Sequence, residues 1–266
     1  MFDSKAVERL LEELPFKPAV IFKKRVDSTN ATAKQMLQEG ADHGTIIVAA
    51  EQTKGRGRYD RIWYSPPKGL YMTVILKPHL DFRSLGALSL LAGCAVADAI
   101  ENTCGTPVKL KWPNDVLMDN QKVAGILSEA VIGDVENGGV VIGIGINQNT
   151  EISDYPPELR EHLTTILTET GQETSNEELV ALAVIGLLKR VESVEASGSF
   201  EGVIDEWRSR SSTLKTRVIV EDGVNVIEGV AKNVDQEGSL IIETSSGILE
   251  KVSIGDVTHL RLPSDE

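Results

Sequence analysis

The strongest constraint on this chain's fold is a change of pattern near Ser211. Beyond it, from Thr216 to Leu262, short apolar segments are separated by Asp222-Gly223, Glu237-Gly238, Ser246-Gly247 and Gly255-Asp256, with no helical period. Short strands between evenly spaced turn pairs predict a small β-barrel of four or five strands. A unit of roughly 50 residues is marginal on its own, so it is expected to dock on the part before it.

Ahead of Ser211, strands and helices interleave. Val7, Leu10, Leu11 and Leu14 share one helical face, and Pro15 ends that helix. Ala19 to Phe22 reads as a short strand, and Asp27-Ser28-Thr29-Asn30 as the N-cap of a helix reaching Gly40. Thr45 to Glu51 and Leu70 to Leu76 read as buried strands, and Ser84 to about Thr103 as a Leu- and Ala-rich helix. Short strands, Val108 to Trp112 and Val116 to Met118, flank Pro113-Asn114-Asp115. Val123 to Ile132 and Val140 to Asn147 read as a hairpin, and Glu177 to Ser193 and Phe200 to Ser209 as helices. Because hairpins dominate the middle, the class expected is α+β, a mixed sheet flanked by helices. The expected division is 1–211 for the larger domain and 212–266 for the barrel.

Composition narrows the function. The net charge is −13, which argues against duplex DNA as the main partner. Accordingly, a mobility shift with duplex DNA is expected to vanish by about 150 mM salt, where weak phosphate contacts fade. The longest uncharged stretches, Ser84 to Ala97 and Asn137 to Thr150, fall short of the roughly 20 apolar residues of a membrane span. Met1 to Leu14 lacks the apolar core of a signal peptide. Cys94 and Cys104 cannot build a disulfide framework and suit a reducing compartment, so the expected location is the cytoplasm.

The acidic chain carries a basic island. Between Gln52 and Leu80 there are six bases (Lys54, Arg56, Arg58, Arg61, Lys68, Lys77) and one acid, Asp60. Its centre is Gly55-Arg56-Gly57-Arg58. Glycines let backbone approach a ligand closely, and arginine forks suit phosphate or carboxylate. The segment reads equally as an anion-binding loop or as an exposed basic loop. In Lys109-Leu110-Lys111-Trp112-Pro113-Asn114-Asp115 the lysines share a strand face, and Pro113 sets Asn114 and Asp115 at the strand's end. A carboxylate there could hold Mg²⁺ or accept a proton, but Pro-Asn-Asp is also a common turn. In Lys122-Val123-Ala124-Gly125-Ile126-Leu127 and Gly143-Ile144-Gly145-Ile146-Asn147 the glycines mark close approach by a ligand or simply by another backbone. No P-loop, dinucleotide fingerprint, Gly-x-Ser-x-Gly elbow or metal-ligand histidine spacing is present.

Taken in order, Asp27-Ser28-Thr29-Asn30, Gln52 with Gly55-Arg56-Gly57-Arg58, Trp63 with Ser65-Pro66, Lys111-Trp112-Pro113-Asn114-Asp115 and the two glycine-bearing strands resemble biotin–protein ligase. The resemblance runs from about Val20 to Leu262. It implies a class II aminoacyl-tRNA synthetase/biotin ligase-like catalytic sheet and an SH3-like C-terminal barrel. Family members activate biotin with ATP, accompanied by Mg²⁺, and pass biotinyl-5′-AMP to a lysine of a biotin carboxyl carrier protein. By that resemblance Ser28, Thr29, Asn30, Gln52, Arg56, Gly57, Arg58, Lys122 and Gly125 belong to the biotin site. Arg56, Arg58, Trp63, Lys111, Asn114 and Asn147 belong to the ATP site, and Arg56, Arg58, Lys111, Asp115 and Lys122 to catalysis; Asp115 is also the candidate for Mg²⁺. Asp60 stands where the family loop usually carries Gly. Only 26 residues precede Asp27, so the short form without a DNA-binding domain, and hence no specific DNA binding, is expected; a homodimer is possible. Lipoate–protein ligase and a biotin-sensing repressor are the alternatives.

Overall fold

Residues 2–78, 84–133, 138–221, 225–253 and 255–259 are described in a computed structural model of the chain. Seven strands, β1 (Val20–Lys23), β2 (Ile46–Ala49), β3 (Leu70–Leu76), β4 (Lys109–Lys111), β5 (Asp115–Met118), β6 (Gln121–Val131) and β7 (Gly139–Ile146), form one sheet. Their order is β1-β2-β3-β7-β6-β5-β4. Only β1 and β2 run parallel, joined by the crossover through helix α2 (Thr29–Gln38); the other neighbours are antiparallel. The α+β class and mixed sheet expected from the sequence are what the chain adopts.

The strands read as continuous apolar runs because the sheet is covered on both faces. Ile46, Val48, Met72, Val74, Ile142 and Ile144 point into the large core. That side is covered by α3 (Leu85–Cys104), α6 (Asn176–Ser197) and α7 (Glu201–Arg210). Their alternates Ile47, Ile75 and Val141 meet Ala33 and Leu37 of α2 in a smaller core. This is the period of two that strands impose. α3 corrects one expectation: by length and composition it is apolar enough to span a membrane. Yet Leu88, Leu91, Ala95 and Ile100 are buried against the sheet and α6, as in the core helix of a folded domain.

The barrel strands are β8 (Arg217–Glu221), β9 (Val226–Val234), β10 (Leu240–Thr244), β11 (Leu249–Val252) and β12 (Asp256–His259), in the order β11-β10-β9-β8-β12. The Trp112 indole is buried and donates to Gly238 O at 2.9 Å, and Ala87 N donates to Glu237 O at 3.1 Å. Arg208 donates to Val234 O at 2.7 Å. The barrel therefore docks through backbone acceptors of its β9–β10 turn and the end of β9. Ser212 N donates to Leu110 O at 2.9 Å, so the connecting segment extends the edge of the large sheet. Two short helices that have no sequence period, α4 (Pro157–Arg160) and α5 (Ile166–Thr170), fold between β7 and α6. They went unread in the sequence.

Candidate active site

On the α2 side of the sheet, register sets Gly145 between Tyr71 and Gly125, and Gly143 between Thr73 and Leu127. Cross-strand partners share a face, so three glycines leave a hollow in an otherwise filled surface. The hollow is the floor of a cavity of about 170 Å³ that opens to solvent. Ser28, Thr29 and Asn30, at the start of α2, form one wall, and all three are buried. Gln52 belongs to the same wall, where Thr29 N donates to its Oε1 at 2.8 Å; Arg56, Gly57, Arg58 and Trp63, with Asn114, Asp115, Lys122 and Gly125 at the far end, complete the lining. Residues from five separate sequence clusters thus converge on one space.

Trp63 fits the glycines. A Cβ on Gly145 would lie 2.5 Å from the indole, and one on Gly125 would lie 2.8 Å from it. Any side chain at either position would displace the ring, which answers why this strand pair is bare. Lys122 Nζ sits 5.3 Å from the Trp63 ring centroid, a cation–π distance, and 2.5 Å from Asp115 Oδ1. Asn114 Nδ2 donates to Ile126 O at 2.6 Å, which ties the end of β4 to β6.

The basic segment is a hairpin. Arg56 bridges Ile62, Gly57 N donates to Arg61 O at 2.7 Å, and Trp63 N donates to Gly55 O at 2.9 Å. At its tip Tyr59 and Asp60 adopt left-handed backbone, with φ of 53° and 56°. Asp60 tolerates this region better than most side chains, so its replacement of glycine is compatible with the turn. At the hairpin's base, Lys54 and Thr53 hydrogen-bond Asp27 and hold its carboxyl below the usual carboxylate range. The tip reaches the barrel: Arg58 donates to Gly255 O at 3.0 Å, and Arg61 pairs with Asp256, itself a cavity residue. In the sequence Asp256 reads only as half of a turn pair, with no mark of a site role.

Two expected residues lie away from the cavity surface. Lys111 pairs in register with Asp115 behind the far end; burial lowers its pKa from the ordinary lysine value, partly offset by Asp115. Asn147 is buried, donating to Lys122 O at 3.2 Å and Thr164 O at 3.1 Å and accepting from Tyr155 at 3.0 Å. It braces the backbone of Lys122 rather than facing the cavity.

Residues 22–147 match the model of the Biotin/lipoate A/B protein ligase family. The chain is 31% identical to the biotin–[acetyl-CoA-carboxylase] ligase of Paracoccus denitrificans, over 84% of this chain and 93% of that one. It is 32% identical to the bifunctional ligase/repressor BirA of Bacillus subtilis, over 90% of this chain and 73% of that protein. The biotin protein ligase of Aquifex aeolicus, solved with biotin and ATP, superposes with a TM-score of 0.80 at 30% identity, covering 92% of this chain and 99% of that one.

Proposed function

Because the chain belongs to the biotin–protein ligase family, we propose that it joins biotin to ATP as biotinyl-5′-AMP and transfers the biotinyl group to one lysine of a biotin carboxyl carrier protein. The observation that carries this reading is the convergence of Ser28–Asn30, Gln52, the arginine hairpin and Lys122 on a single cavity. In the first step a biotin carboxylate oxygen attacks the α-phosphorus of ATP and pyrophosphate leaves. In the second, the carrier's neutral amine attacks the acyl carbon, an amide forms, and AMP leaves with the carboxylate oxygen.

Both substrates are anions, so the site must offset their repulsion and stabilise charge at phosphorus. Arg56, Arg58 and Lys122 line the cavity and can donate there, which is the kind of preorganised donor set that accelerates such reactions. Lys111, half-buried behind Asp115, adds positive potential. Biotin's ureido ring both donates and accepts hydrogen bonds and suits the polar wall of Ser28, Thr29 and Gln52; the Trp63 ring, seated on Gly125 and Gly145, suits its apolar parts. In this reading Trp63 and Asn114 serve the nucleotide, and Asn147 contributes by bracing Lys122. Among the described residues no group of three or more His, Cys, Asp or Glu side chains could hold a metal. Asp115, a carboxylate on the cavity lining, would help hold Mg²⁺ brought with the nucleotide, and the ion would add charge neutralisation. In this reading 1–211 is the catalytic domain and 212–266 the SH3-like barrel that closes the cavity through Asp256. A reducing, cytoplasmic setting suits the chemistry, and a homodimer is compatible with it.

Mass spectrometry of a carrier domain incubated with the chain, biotin and ATP tests this. One lysine should gain one biotinyl group, and an unmodified carrier would refute it. The hairpin gives a second test. Its tip is held to the barrel by the side chains of Arg58 and Arg61, and ligand-ordered segments are common in such sites. Biotin plus ATP is expected to protect Gly55 to Arg61 from protease, and equal cleavage with and without ligands would contradict this.

A further inference from the structure

The polar wall of the cavity continues away from it, to a pair of charged residues. Glu129 lies on β6 on the same sheet face as Leu127 and Gly125, opposite Val141. Its Oε1 is 2.5 Å from Lys34 Nζ, one turn along α2 from Asn30, and its Oε2 accepts from Asn30 Nδ2 at 2.8 Å. Asn30 Nδ2 also donates to Leu127 O at 3.2 Å, so both amide hydrogens are spent on the protein. Its Oδ1 faces Thr73, whose hydroxyl lies 2.7 Å from it and 2.8 Å from Thr29 Oγ1. Gln52 Oε1 accepts from Thr29 N at 2.8 Å, and Gln52 Nε2 donates to Ser65 at 3.1 Å.

An ionised carboxylate can only accept hydrogen bonds. Glu129 therefore fixes which way Asn30 faces. Asn30 Oδ1 in turn fixes the hydroxyl of Thr73, and the Thr29 amide fixes Gln52. The chain needs this order because the sheet gives Asn30 no slack: a Cβ on Gly143 would lie 2.1 Å from Asn30 Oδ1. We propose that Glu129, held by Lys34, is a positioning residue that sets the donor–acceptor pattern of the cavity wall through Asn30, Thr73 and Thr29. It touches no ligand itself. The inference deepens the function above and rests on that reading for biotin as the molecule the wall meets.

Two readouts on the full chain test it. In biotin-dependent ATP–pyrophosphate exchange, Glu129→Gln, which can present a donor where Glu129 only accepts, should raise KM for biotin about tenfold, the effect of losing a charge-assisted hydrogen bond. KM for ATP, kcat and Tm should stay near wild type. Lys34→Met should raise KM for biotin in the same direction but by less. In the ligand-free chain, NMR should find the Asn30 side-chain amide protected from solvent exchange, and Glu129→Gln should speed that exchange about tenfold. Unchanged KM for biotin in Glu129→Gln overturns the proposal, as does unchanged amide exchange. A parallel rise in both KM values with a lower Tm also overturns it, since it makes Glu129 a fold residue. A wild-type chain with no biotin-dependent exchange would instead refute the ligase reading, and the amide measurement would still decide the network.

Discussion

Replacing Lys122 by alanine is expected to slow adenylate formation about 10²–10³-fold, the typical cost of removing one donor matched to developing charge. Lys122 projects from β6 into the cavity, between Asp115 at 2.5 Å and the Trp63 ring. Its backbone is held independently of its side chain: Lys122 N donates to His162 O, and Lys122 O accepts from Thr164 N and Asn147 Nδ2. The ion pair with Asp115 is partly exposed on both sides, so its loss should cost no more than about 1 kcal/mol of stability. For a chain of this size that lowers Tm by only about 2–4 °C. Pyrophosphate exchange and thermal melting on the same variant check both halves. A large fall in Tm with nearly normal exchange would make Lys122 structural.

The second large effect concerns Asp115 and the transfer step. The carrier's lysine has a reference pKa near 10.4, so at pH 7 only about one amine in 2,500 is neutral. Deprotonating it costs roughly 4.6 kcal/mol at 1.36 kcal/mol per pH unit. Asp115 opens β5 at the far end of the cavity, where a carboxylate can accept or orient that proton. Asp115→Asn keeps the shape and removes the charge. It is expected to transfer from preformed biotinyl-5′-AMP about 10²-fold more slowly, the low end of general-base effects. Its rate should also gain more steeply than wild type between about pH 7 and 9, as the amine loses its proton unaided. The pairing with Lys122 defines the competing outcome. Normal transfer from added adenylate, with slow pyrophosphate exchange, would mean that Asp115 acts in the first step by orienting Lys122.

What could be read from the sequence was what local spacing determines. The strand at Leu70 to Leu76 and the hairpin of Val123 to Ile132 with Val140 to Asn147 announce themselves by β-branched runs and turn residues. The glycines of Gly143-Ile144-Gly145 signal a close neighbour, and the structure supplies it as Trp63 and the Asn30 side chain. The neighbour itself was not legible, because Trp63 meets Gly145 only once the arginine hairpin folds over the sheet. The same holds for Asp256, which reaches Arg58 and Arg61 from the barrel, and for Glu129, which meets Asn30 where α2 crosses β6. Asn147 shows the reverse. The family resemblance implied a ligand contact for it, yet its amide is consumed by Lys122 O on β6 and by Thr164 O in the segment between α4 and α5. Long-range pairings of this kind leave no periodic trace in sequence, and they hold much of this site together.

The central claim is that the cavity activates biotin with ATP, and biotin-dependent ATP–pyrophosphate exchange measures that step alone, without a carrier protein. The account predicts incorporation of labelled pyrophosphate into ATP when biotin is present and only background when lipoate replaces it. Exchange driven by lipoate, or no exchange with either acid, would contradict it.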